Sequence, residues 1–159
     1  MNQVKPQMGF VEAIKTCFSK YATFSGRARR SEFWWFYLLN AILSWCASAL
    51  VQWKTNKANE LMSQVSLDSD FQALSDQASS IDNTFFIGIG ILGILMLAMI
   101  LPMIAAHVRR LHDVGKSGNL MWLYLLCGVG GLVPLFMCIQ DGKPEANQYG
   151  ESTKYEPQA

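Results

Sequence analysis

The chain has 159 residues, enough for one domain. Hydrophobic residues make up 51% and charged residues only 16%, where a soluble domain carries about a quarter. A net charge of +1 gives no basic excess for wrapping a polyanion, so no nucleic acid is expected as a partner. Cys17, Cys46, Cys127 and Cys138 form no CxxC pair and no metal-ligand spacing. They read as small hydrophobes, and neither a metal nor another cofactor is expected.

Near the start, Phe10, Ile14, Cys17, Phe18 and Tyr21 recur at helical spacing, with Glu12, Lys15, Thr16, Ser19 and Lys20 between them. That pattern predicts an amphipathic helix over 8–24, too polar to span and suited to lying flat in the membrane interface. A helix packed on a soluble partner would show the same period. The first 30 residues have no apolar core followed by small residues, so the first span is expected to be an uncleaved anchor.

Residues 33–53 are 21 positions without a charge. At about 1.5 Å per residue they cross a hydrocarbon core of about 30 Å. Trp34, Trp35 and Tyr37 at one end and Trp53 at the other match interfacial aromatic belts. In 54–83 two lysines meet five acids. There Leu67, Phe71, Leu74, Ala78 and Ile81 predict a helix from near Ser66, packed over the outer mouth of a bundle or against a second subunit.

Residues 85–106 predict the second span, with Gly88, Gly90 and Gly93 offering close-packing surfaces and Pro102 a kink. A loop at 107–118 comes next, then a third span over 119–140, broken by Gly128, Gly130, Gly131 and Pro134, then a polar tail, 141–159. The fold class expected is therefore an all-α membrane protein: an interfacial helix plus three transmembrane helices in a single membrane domain.

Basic residues orient it. Six precede the first span and three lie in 107–118, against two in 54–83 and two in the tail. The N-terminus and the 107–118 loop should be cytoplasmic and the acidic insert outside. Three full spans place the C-terminus outside; a re-entrant third run returns it inside.

Arg109-Arg-Leu-His-Asp-Val-Gly-Lys-Ser-Gly118 is the densest charged turn and sits between two apolar runs. Together with Tyr21-Ala-Thr-Phe-Ser-Gly-Arg-Ala-Arg-Arg-Ser-Glu-Phe-Trp-Trp35, Asp141-Gly-Lys-Pro144 and Asn147-Gln-Tyr-Gly150 it resembles one family. This is the YhaH-like family of small bacterial inner-membrane proteins, carrying domain of unknown function 805. The resemblance spans nearly the whole chain. It implies a bacterial cytoplasmic membrane and a multi-span helical fold, and no activity.

Gly115-Lys116-Ser117 suggests a phosphate loop, but a Walker A motif needs glycine where Arg110 stands, so nucleotide hydrolysis is rejected. His112-Asp113 supplies too few groups for a metal or a catalytic set. An electrostatic role fits better. Glu32 and Asp113 lie among Arg27, Arg29, Arg30, Arg109, Arg110, His112 and Lys116. Pairing would dock the loop to the N-terminal arm, leaving unpaired arginines for lipid phosphates. His107 and His112 are where a pH response would begin.

Asn40, Ser44, Ser48 and Gln52 recur every four residues, a polar stripe that suits interhelical hydrogen bonds or one wall of a pathway. The expected function is non-enzymatic: an inner-membrane protein affecting envelope permeability or ion and solute movement, linked to stress or pH. The alternative is a scaffold or anionic-lipid-binding accessory of an envelope complex. The expected partners are anionic headgroups, further copies of the chain and an envelope protein.

Overall fold

The computed structural model describes residues 4–65, 71–125 and 131–155. Among them the architecture is helical, with isolated β-bridges pairing Val4 with Tyr155 and Asn147 with Gly150. The chain divides into two compact units, Met1–Leu39 with Met99–Ala159, and Asn40–Ala98.

In the first unit, α1 (Phe10–Ser19) is shorter than the predicted 8–24. Glu12 in its first turn suits the positive end of the helix dipole, and Ala13 and Cys17, one turn apart, are buried. Phe10 packs edge-on against Trp35 at 5.6 Å and Phe18 against Phe36 at 5.9 Å. The chain then turns at Gly26, whose φ of 85° favours glycine. It enters α2 (Arg30–Gln64), where Glu32, Phe33 and Phe36 are buried.

α3 (Phe71–Asp113) runs unbroken through Pro102, and in its last stretch every residue from Ala105 to Asp113 except Val108 is buried. The 107–118 segment is thus helix as far as Asp113, and the turn proper is made at Gly115, with φ 78°. Beyond it the described residues of the expected third span form two shorter pieces. Gly118–Leu125 is a 3-10 stretch, and α4 (Leu132–Ile139) has only 8 residues, about 12 Å of helix. Both ends of this run meet the end of α3. A Cβ on Gly118 would lie 2.8 Å from Val108 and 3.3 Å from the His112 ring, and Arg110 Nε donates to the Cys138 carbonyl at 3.1 Å. Among the described residues two helices, not three, are long and apolar enough to cross a membrane. The described ends of the run, at Gly118 and at Cys138, thus both lie against the last turns of α3. Gly128 and Gly130 of the predicted break lie outside the described residues. Gly131 caps α4, Pro134 is buried in it, and a Cβ on Gly131 would press on Tyr124 at 3.1 Å.

In the second unit the predicted insert is mostly the extension of α2 to Gln64 and the start of α3 at Phe71. The helix start expected near Ser66 lies outside the described residues. Leu50 of α2 packs where a Cβ on Gly88 of α3 would stand, 3.1 Å away, while Gly90 and Gly93 have open space. Only 6% of each apolar window is buried, whereas the core helix of a soluble protein would be mostly covered. Helices of this length with exposed apolar surface suit a membrane crossing.

Candidate functional site

Charged side chains share the core of the first unit with apolar ones such as Phe33, Phe36 and Leu111. Arg27, Glu32, Arg109, Arg110, His112 and Asp113 are all buried. Arg27 reaches there because Gly26 turns the chain and the Ala28 amide donates to the Arg109 carbonyl at 3.0 Å. Asp113 arrives at the last position of α3, and the tail is threaded past it by a bond from the Lys143 amide to the Asp113 carbonyl, 3.0 Å.

Asp113 is the hub. Arg27 Nε donates to its Oδ1 at 2.8 Å, and Arg110 Nη1 donates to Oδ2. Both guanidinium groups then reach into the tail and its approach. Arg27 donates to the carbonyls of Glu145 at 2.8 Å, Gly150 at 3.3 Å and Lys143, and Arg110 to that of Gln140. Planar forks with five donors suit arginine to this work; an ammonium could not serve carboxylate and carbonyls in one plane. Gly142 is fixed by the same packing, since a Cβ there would overlap the Asp113 carboxylate.

A second pair links the same elements. Arg109 Nη2 stands 3.0 Å from Glu32 Oε1, with side chains 1% and 3% exposed. The contact is one of charge, because among the described residues none of the Arg109 nitrogens has a well-directed hydrogen-bond acceptor. Burial raises the carboxyl pKa of Glu32, against the opposing pull of Arg109. Burial also pushes the Cys17 thiol, 3.9 Å from Glu32, up to about 12, which makes it an inert packing group.

His112 is held rather than poised. Its Nδ1–H donates to the Gly26 carbonyl at 3.1 Å, its ring stacks on Tyr149 at 3.7 Å, and burial lowers its pKa. Asn147 Nδ2 donates to its carbonyl at 2.9 Å. Outside the knot, Asp141 is shared by Arg30 at 3.1 Å and Lys154 at 3.3 Å, and the hydrogen bond from Arg30 lowers its pKa. Arg29 donates to the carbonyls of Pro6 at 2.6 Å and Lys5 at 2.9 Å.

The structure thus brings together Arg27, Glu32, Arg109, Arg110, His112 and Asp113, and leaves Lys116 exposed on the surface. Arg27, Arg109 and Arg110 cannot serve lipid phosphates as expected, because they are at most 4% exposed. Arg29 is partly exposed, and Arg30 and Lys116 are exposed. In the second unit the stripe is not gathered into a site. Ser44, Ser48 and Gln52 are exposed, and Ser48 Oγ donates within its own helix to the Ser44 carbonyl at 2.9 Å. Reading charges alone missed the tail, because Gly142, Lys143, Glu145 and Gly150 act through backbone. The signal for it was the pair of tail motifs at 141–144 and 147–150.

An all-helical membrane protein whose helix ends are tied by a buried ion-pair knot is the class this geometry defines. The chain matches the family described as "Protein of unknown function (DUF805)" over residues 21–151, and it belongs to that family. It is 30% identical over 135 residues to inner membrane protein YhaI of Escherichia coli K12, covering 85% of this chain and 89% of that one. It is 29% identical over 140 residues to inner membrane protein YhaH of the same organism, covering 86% and 92%. No solved structure matches it.

Proposed function

We propose that this is a non-enzymatic scaffold or accessory protein of the bacterial inner membrane, presenting a folded, charged platform at the cytoplasmic face. One observation carries the reading: arm, loop and tail are locked to each other through Asp113, so the charges of the platform core face inward and fix its shape. A structure so tied is suited to holding a partner or a headgroup, whereas a moving pathway needs charges free to exchange partners.

In this reading 33–53 and 85–106 cross the bilayer and 119–140 is re-entrant. α1 lies in the interface, and 54–83 is extracytoplasmic. The tail's return to Arg27 and Asp113 supports this arrangement, since Lys143 and Lys154 then join the inside count. That count becomes eleven basic residues against two outside. Anionic lipids, an envelope protein and further copies of the chain are the partners.

A second reading, ion or solute movement affecting envelope permeability, draws on the exposed face of Ser44, Ser48 and Gln52. In hydrocarbon such a face favours a polar neighbour, which a second copy would supply. The two readings separate on reconstitution. Purified protein in liposomes should pass no cation, anion or small solute above the empty-liposome rate, while cross-linking in cells should recover a stoichiometric partner. Flux that disappears on Gly131→Leu would replace the platform with a pathway.

A further inference from the structure

Beside the knot, within the first unit, lies a cavity of about 570 Å³. Arg29, Arg30, Arg110 and Lys154 line it against two acids, Asp113 and Asp141, so two positive charges stand in excess. Asp113 is already shared by Arg27 and Arg110 inside the knot. Asp141 is 57% exposed and shared between Arg30 and Lys154, and one carboxylate cannot neutralise both. Among the described residues the Arg29 guanidinium meets only backbone carbonyls.

The remaining wall is of another kind. Trp34, Trp35 and Leu38 line it, with Trp35 37% and Leu38 43% exposed. They open the first apolar run, where the chain enters hydrocarbon. Cations at one end and indole and aliphatic surface at the other match an anion that carries a chain. The charge excess of two fits a terminal phosphomonoester, which holds about −1.5 to −2 at neutral pH, better than a phosphodiester.

We propose that this cavity is a headgroup site for a lipid of the cytoplasmic leaflet bearing a terminal phosphate, with Arg29, Arg30 and Lys154 on the phosphate and the first acyl carbons over Trp35 and Leu38. The inference rests on the platform reading and names its lipid.

The test uses the full chain in non-ionic detergent, titrated with dioctanoyl phosphatidic acid, dioctanoyl phosphatidylcholine and glycerol 3-phosphate. Phosphatidic acid should saturate at one per chain and bind at least about tenfold more tightly than either other probe. Arg30→Gln with Lys154→Gln should lose at least about tenfold, while Lys116→Gln, outside the cavity, should bind as the parent does. Equal affinity for phosphatidylcholine, or no loss in the double variant, would overturn the site. Glycerol 3-phosphate binding as tightly as the lipid would also overturn it, assigning the cavity to a soluble phosphate ester. If the double variant fails to fold, Leu38→Gln keeps every charge; it should weaken the lipid and spare glycerol 3-phosphate, and no change rejects the proposal. Binding in detergent is read independently of flux, so failure here leaves the platform reading standing, and flux in liposomes leaves this site standing.

Discussion

The two units use the same chemistry in opposite surroundings. In the first, Arg27–Asp113, Arg110–Asp113 and Arg109–Glu32 are pairs whose side chains are at most 3% exposed. In the second, Lys54–Asp82 and Lys57–Glu60 have comparable separations, 3.0 and 2.6 Å, but every side chain is at least 32% exposed. Burial, not distance, separates them. A buried pair need not add net stability over apolar packing, yet removing one partner strands the other charge in a poor solvent. An exposed pair hands its orphan to water. The first unit is therefore a specificity device, in which one register of arm, loop and tail satisfies the charges.

The largest break in that contrast is Asp113→Asn, which leaves Arg27 and Arg110 buried without their carboxylate. It should cost about 3–5 kcal/mol, seen as a collapse of folded yield and melting temperature in detergent. Lys116→Gln, at an exposed position, should change neither. Equal, negligible effects would mean that the knot does not hold the unit. Glu32→Gln should fall between them, since Arg109 loses a charge partner but no well-directed hydrogen bond.

Next comes Gly142→Ala, which alters no charge. Its methyl must displace the Asp113 carboxylate or the tail, and overpacking of this kind costs about 1–3 kcal/mol. Gly90→Ala, with open space around it, is the matched control and should be neutral or slightly stabilising.

Acid sharpens the comparison further. The pKa of His112 is lowered from 6.5 by burial. Its contribution is present above 6.5 and lost as pH falls through the lowered value. Glu32 has the opposite sign: raised from 4.5, it contributes below 4.5 and loses that as pH rises through its folded value. Between pH 5.5 and 7.5 the two therefore oppose each other, His112 favouring the higher pH and Glu32 the lower. His112→Asn, which keeps a donor for the Gly26 carbonyl, should shift the melting-temperature difference toward stability at pH 5.5, and Glu32→Gln should shift it toward stability at pH 7.5. A His112→Asn variant with the parent's full pH difference would place the titration elsewhere.

Legibility from sequence divides along the same line. Apolar runs and charge clusters are local signals, so the two long helices and the gathering of Arg27, Glu32, Arg109 and Asp113 could be read from residue types and spacing. The course of 119–140 could not. An apolar run of that length reads alike whether it crosses or doubles back, and Arg110 holds its far end through main-chain carbonyls at Cys138 and Gln140, which any residues would supply. Helix from Phe71 on was legible in the period of Phe71, Leu74, Ala78 and Ile81, whereas the continuation of α2 to Gln64 was not. Polar helix extending past an apolar core has the composition of a loop, and serine-rich stretches depress its helical signal without abolishing it.

The smallest effects are expected in the second unit, where they also discriminate. Lys54 pairs with Asp82 at 3.0 Å and lies over the rings of Phe85 at 4.5 Å and Phe86 at 5.1 Å. Asp82→Asn removes only an ion pair with partners 32% and 52% exposed, about 0.2–0.5 kcal/mol after screening. That difference should vanish in 0.5 M salt, where the screening length falls to about 4 Å. Lys54→Gln removes the ring contact too and should cost about 0.5–1 kcal/mol, part of it persisting in salt because the cation sits against the aromatic faces. If instead Asp82→Asn is as damaging as Asp113→Asn, and salt does not relieve it, the second unit is buried in the working protein. Its exposed pairs would then have been covered by a second copy.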